Sequence, residues 1–118
     1  MAQATGIGGI FIRARDPKAL YAWYEKHLGL PLQHGSFAIP AEHERAMIVF
    51  AFFGEKDAYF PVSQPAMVNL QVDDLDKLLE KLMAEGVQVD PKRETVDYGK
   101  FGWITDPEGN RVELWQPL

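Results

Sequence analysis

Apolar and polar side chains alternate from Ile7 to Ala14, with Ile10, Ile12 and Ala14 on one side and Gly9, Phe11 and Arg13 on the other, which predicts a strand. The period then changes. Asp16 and Pro17 supply an N-cap and a preset first helical residue, Leu20, Trp23, Tyr24 and Leu28 follow at helical spacing, and Gly29 ends the run. About 57 residues later, half a chain on, the same grammar returns. Val68, Leu70 and Val72 alternate with Met67, Asn69 and Gln71, and Asp73 and Asp74 cap a helix. Leu75, Leu78, Leu79 and Leu82 form its apolar stripe before Gly86 stops it.

Strand-like runs follow each helix: 30–33, 44–53 and 57–60 in the first half, then 87–89, 95–105 and 110–116 in the second. Each half therefore reads β-α-β-β-β. Turn chemistry separates the runs at Gly54-Glu55-Lys56-Asp57, at Tyr98-Gly99-Lys100 and at Asp106-Pro107-Glu108-Gly109-Asn110. The last turn leads into a strand with Val112 and Leu114 on one face and Arg111, Glu113 and Trp115 on the other. Glu113 thus stands in mid-strand as an isolated carboxylate, to serve as a ligand, a hydrogen-bond anchor or half of an ion pair. Pro61 to Pro65 is the linker-like stretch between the halves. The glycines of Gly6-Ile7-Gly8-Gly9 open a strand rather than a helix, so they suit close backbone approach and do not form a phosphate loop.

Composition narrows the chemistry. At 118 residues the chain makes one domain with a core of its own. With no cysteine, disulfides, thiolate metal sites and a cysteine nucleophile are excluded. A net charge of −5 with interspersed signs offers no basic stripe, which argues against nucleic-acid binding. No apolar run approaches a membrane span, and the first residues, MAQATG, have neither a basic nor an apolar signal region. A cytoplasmic protein with no membrane partner is expected.

The order βαβββ-βαβββ, together with DPKALYAWYEKHLGL, NLQVDDLDKLLEKL and DPEGNRVELWQ, resembles the vicinal oxygen chelate superfamily, the group of glyoxalase I, extradiol dioxygenases and bleomycin-resistance proteins. The resemblance covers nearly the whole chain. It implies an α+β domain of two βαβββ modules, about 5–61 and 66–117, each a curved mixed sheet with a helix on its convex face. Together the modules are expected to form a barrel-like crevice, and the chain a homodimer. In metal-dependent members, ligands sit at equivalent strand positions of the two modules. Those positions fall here on Gly9, Met67 and Glu113, and the apolar stretch 47–53 offers no acidic counterpart in the first module. One carboxylate is not a metal site, so no metal and no cofactor is expected. His34 and the pair His43-Glu44 are the remaining candidates and read as surface groups, while His27 lies on the first helix.

The crevice face would carry Phe11, Arg13, Asn69, Gln71, Arg111, Glu113 and Trp115, with Phe101 and Trp103 from the preceding strand and Tyr98 overhanging the mouth. Aromatic walls with a few polar groups suit a planar ligand. Each residue also has a plainer role: an Arg13–Glu113 ion pair, an Asn69 hydrogen bond to a neighbouring strand, aromatic rings in a core or dimer interface. Trp23 and Tyr24 read as helix packing, and Asp16, Asp73 and Asp74 as N-caps. Metal-free acid-base catalysis needs two titratable groups within reach of one substrate, and Glu113 alone is well placed, with Tyr98 and His34 distant. The expected function is metal-free binding of a small molecule, of the bleomycin-resistance kind, with Glu113, Arg13 and Asn69 as polar anchors. The alternative is a lyase, isomerase or oxygenase with atypical metal ligands or acid-base chemistry at Glu113. In a third reading the crevice is filled by the protein's own side chains.

Overall fold

A computed structural model describes residues 10–39, 49 and 51–118; Gly9 and the pair His43-Glu44 lie outside the described residues. The first helix, α1, spans Pro17–Leu28. Its start follows from two residues: the Asp16 side chain accepts from the Ala19 N–H, and Pro17 occupies the first helical position, where no N–H is needed. It stops at Gly29, whose φ of 67° is the left-handed conformation glycine enters without strain. A short hairpin follows, β1 (Leu32–Gln33) with β2 (Ser36–Phe37), and His34 sits exposed in its turn.

The second half builds the main sheet. It comprises β3 (Val68–Gln71), α2 (Leu75–Ala84), β4 (Gln88–Val89), β5 (Glu94–Val96), β6 (Gly99–Thr105) and β7 (Arg111–Pro117). The spatial order is β3-β7-β6-β4, with β5 also on β6. β3 runs parallel to β7 and the other pairings are antiparallel, so the sheet is mixed. Among the described strands, the sheets do not close into a barrel.

Alternation decides which face is core. Val112, Leu114 and Ile104 turn to α2 and pack with Leu75, Leu79 and Leu82. Gly102 faces the same helix; a Cβ there would come within 2.9 Å of Leu79, so the missing side chain lets α2 settle on β6. From α1, Trp23, Tyr24 and Leu28 pack against the same cluster. Polar groups clamp the two helices: His27 Nδ1 lies 3.0 Å from Glu85 Oε1, and Lys81 donates both to that oxygen and to the His27 carbonyl. These contacts, His27 first, hold the Glu85 carboxyl below its usual range.

The first half departs from the expected repeat. Among the described residues, 10–14, 51–53 and 57–60 form no strand, and residues 57–60 are mostly turn. Ile10 and Ile12 are exposed rather than packed on α1. The physical reason is that alternation specifies a strand only where a neighbouring edge accepts its backbone hydrogen bonds, and no described strand lies beside Ile10–Ala14. The second half differs only in detail. The run 95–105 breaks at Asp97-Tyr98 into the hairpin β5–β6, one residue before the turn its glycine suggested.

One turn ties the halves together. Asp106, only 5% exposed, accepts from the backbone N–H of Glu108 and Asn110, from the Asn110 side chain and from the Tyr24 hydroxyl, at 2.7–2.9 Å. Gly109, with φ 85°, completes the reversal. Glu108 then reaches α1, accepting from the N–H groups of Arg15 and Asp16. Burial, and after it the Asp106 hydrogen bond, push the Tyr24 hydroxyl well above the ordinary phenol range.

Asp106→Ala is expected to cost about 2–4 kcal/mol of unfolding free energy, measured by urea denaturation, because it orphans a buried hydroxyl and two backbone N–H groups at once. In an alkaline titration followed by ultraviolet absorbance, Tyr24 is expected to stay protonated past pH ~10, and Tyr24→Phe to diminish the late-ionising signal, to which Tyr59 also contributes. A Tyr24 that ionises with ordinary phenols would show the contact with Asp106 to be absent in solution.

Candidate functional site

The face of the main sheet away from α2 carries the candidate residues in ordered rows. Register places Asn69 of β3 opposite Glu113 of β7, and Glu113 opposite Trp103 of β6. The next row places Gln71 opposite Trp115 and Trp115 opposite Phe101. Side chains of residues paired in this way point to the same side of a sheet, so six positions separated in the chain become one surface.

Glu113 is the polar centre of that surface. It is 8% exposed, and both oxygens are bonded: Asn69 Nδ2 donates to one at 2.7 Å and the Tyr59 hydroxyl to the other at 2.5 Å. The Arg13–Glu113 ion pair is not formed, and Arg13 lies exposed. Phe11 is 96% exposed. The Asn69 hydrogen bond runs across strands, but to a side chain.

Trp103 and Tyr59 flank the carboxylate, and further rings line the next row of the same face. Trp103 is 1% exposed, and its ring carries Lys92 and Arg111 at 5.5 and 5.3 Å, with Arg111 in turn paired to Asp90 at 3.0 Å. Phe101 and Trp115 lie parallel, their centroids 6.1 Å apart, and Tyr98, largely exposed, meets Phe101 edge-on. The Trp115 indole N–H donates to the Tyr98 carbonyl at 3.3 Å while its ring lies across Gly99. A Cβ at Gly99 would fall 2.1 Å from that ring, so only glycine admits it.

Tyr59 falls outside the set that strand alternation picks out, because it belongs to a turn. The Asp57 side chain accepts from the Tyr59 N–H at 2.8 Å, and the Tyr59 ring stacks on Phe53 and meets Trp103 edge-on. Burial, followed by the hydrogen bond to Glu113, pushes its hydroxyl above the ordinary phenol range, so near neutral pH it is a donor. The following stretch docks beside it: the Gln64 amide bonds both backbone groups of Arg111, extending the hydrogen-bonded edge of β7 beyond β3. The only sequence signal for Tyr59 is an aromatic cluster, Phe52, Phe53, Tyr59 and Phe60, around a turn.

A divalent cation at this face would need about three hard donors. Beside Glu113 stand Asn69, Tyr59 and Trp103, and no group of three His, Asp or Glu that could hold a metal occurs among the described residues. The donor set described at Glu113 does not fit a catalytic metal. A separate cleft of about 570 Å³, between α1 and the Asp106 turn, is lined by Arg15, Asp16, Ala19, Leu20, Trp23, Pro107 and Glu108 and shares no residue with the Glu113 face. No helix among the described residues is long and apolar enough to cross a membrane.

Comparison with known proteins now bears on the fold. No curated protein matches the chain. Among solved structures, an antibiotic binding protein, TnmS3 from Streptomyces sp. CB03234, is 22% identical, with 98% of this chain and 100% of that one covered and a TM-score of 0.60. A protein of unknown function from Agrobacterium tumefaciens str. C58 is 17% identical over 99% of this chain and 98% of that one, with a TM-score of 0.63. A lactoylglutathione lyase from Agrobacterium tumefaciens is 18% identical over 95% and 96%, with a TM-score of 0.56. At these identities the likenesses speak to the fold alone. The sequence profile of the Glyoxalase/Bleomycin resistance protein/Dioxygenase superfamily matches residues 6–114, and with that match spanning nearly the whole chain, the protein belongs to this superfamily.

Proposed function

We propose that the protein binds a small, largely aromatic molecule on the Glu113 face. The observation that carries this reading is a nearly buried carboxylate with no cation paired to it among the described residues, set among Trp103, Trp115, Phe101 and Tyr98. Unlike Asp106, whose donors come mostly from its own turn, Glu113 draws one donor from a strand and one from a distant turn, beside a row of rings on the same face. Glu113 and Asn69 are the polar anchors and the rings the walls. Phe11 and Arg13 join the site only if another copy brings them. The exposed Ile10–Ile12 stretch and the outer edge of β3, unpaired among the described strands, support a homodimer in which the halves 5–61 and 66–117 act as two modules.

Acid-base catalysis is the second reading, and one observation favours it. Tyr59 gives Glu113 the second titratable group that the sequence did not place, in direct hydrogen-bond contact. A carboxylate base beside a hydroxyl donor is a workable pair for proton transfer on a bound substrate.

Thermal-shift screening of aromatic compounds is expected to give stabilising ligands, with Kd raised at least about tenfold in Glu113→Gln and in Asn69→Ala. Ligands whose affinity is unchanged in both variants would place binding elsewhere and overturn the proposal. Turnover of a bound compound that disappears in both Glu113→Gln and Tyr59→Phe would decide for the catalytic reading.

A further inference from the structure

Glu113 is 8% exposed with a donor seated on each oxygen, so a ligand reaches its carboxylate by moving one of the groups that cover it. The two partners are not equally fixed. Asn69 belongs to β3, whose backbone is paired with β7 in register with Glu113 itself. Tyr59 reaches the face from a turn outside every sheet. What its side chain occupies is a slot for one phenol, stacked on Phe53 at 5.3 Å and edge-on to Trp103 at 5.9 Å.

The slot also holds an unused donor. The Trp103 indole N–H is buried and makes no hydrogen bond of good geometry among the described residues, the Tyr59 hydroxyl beside it offering at most a weak acceptor. A buried N–H without an acceptor is rare and is relieved by any group that brings one. Once Tyr59 withdraws, Glu113 presents an acceptor and Trp103 a donor. A hydroxyl serves both. An ammonium group cannot accept from the indole, and Lys92 and Arg111 over the Trp103 ring repel it further. A carboxylate cannot donate to Glu113 and is repelled by it.

We propose that Tyr59 is an internal stand-in for the ligand, and that the ligand is a neutral aromatic hydroxyl compound, a phenol or naphthol, which displaces Tyr59, donates to Glu113 and accepts from the Trp103 N–H. This rests on the ligand-binding reading of the Glu113 face. The structure is then the self-occupied form, in which the affinity observed for the ligand is the intrinsic affinity reduced by the cost of moving Tyr59.

Calorimetric titration with 2-naphthol and with 2-methoxynaphthalene, which lacks the donor, tests this. Tyr59→Ala is expected to tighten 2-naphthol binding at least about tenfold and to change 2-methoxynaphthalene binding much less. Tyr59→Phe removes the competing hydroxyl but leaves the ring in place, so it is expected to give a smaller gain for 2-naphthol, and it keeps the test open should the alanine variant unfold. If both probes bind the original protein and both weaken equally on Tyr59 replacement, Tyr59 is a wall of the site and this inference is overturned while the binding reading stands. If neither probe binds any folded variant, the binding reading itself fails with it.

Discussion

The Asp106 carboxylate is the most deeply buried polar contact joining the two halves of the chain among the described residues. It is nearly buried, and its hydrogen bonds go to the turn that follows it and to Tyr24 on α1. Closing that turn aligns β6 with β7 residue for residue, and the alignment sets Trp103 beside Glu113 and Phe101 beside Trp115. A slip of one residue would send Glu113 to the core and Leu114 to solvent. The hydroxyl of Tyr24 adds the second function, holding α1 to the end of the main sheet together with Glu108. Charge is tolerated here because the carboxylate's lone pairs are met by donors, four of them in reach at once.

The same logic, with a different outcome, governs Glu113. Its oxygens are met by Asn69 and Tyr59, yet one donor comes from a strand and the other from a turn. Asp106 draws most of its donors from its own turn, whereas Glu113 depends on one donor from a neighbouring strand and one from a distant turn. The surrounding rings lower the local polarity and strengthen whatever hydrogen bond replaces Tyr59. Two glycines support the arrangement from beneath: Gly99 admits the Trp115 ring and Gly102 admits α2.

Asp16, Pro17 and Gly29 bound α1, and Asp74 and Gly86 bound α2, as local capping chemistry requires. The row Asn69–Glu113–Trp103 follows from alternation once β3, β7 and β6 are neighbours. Tyr59 does not follow, because the run 57–60 reads as a strand but forms a turn, where alternation does not tell which way a side chain points. Nor do the exposed positions of Phe11 and Arg13, because alternation says which residues share a face and nothing about whether a second strand lies alongside.

The amino-acid order by itself thus determined what depends on near neighbours in the chain: the helix limits, the sharp turn at Asp106–Asn110, the two-residue alternation that separates Glu113 from Val112 and Leu114, and the superfamily pattern they compose. Only the tertiary structure decided the distant partners of Glu113, Asp106 and His27, since a hydrogen bond between residues 44 to 82 positions apart has no local signature. Capping and alternation are set by rotations about a few adjacent bonds. The company a buried carboxylate keeps is set by how whole elements pack, and that is where this protein's candidate chemistry resides.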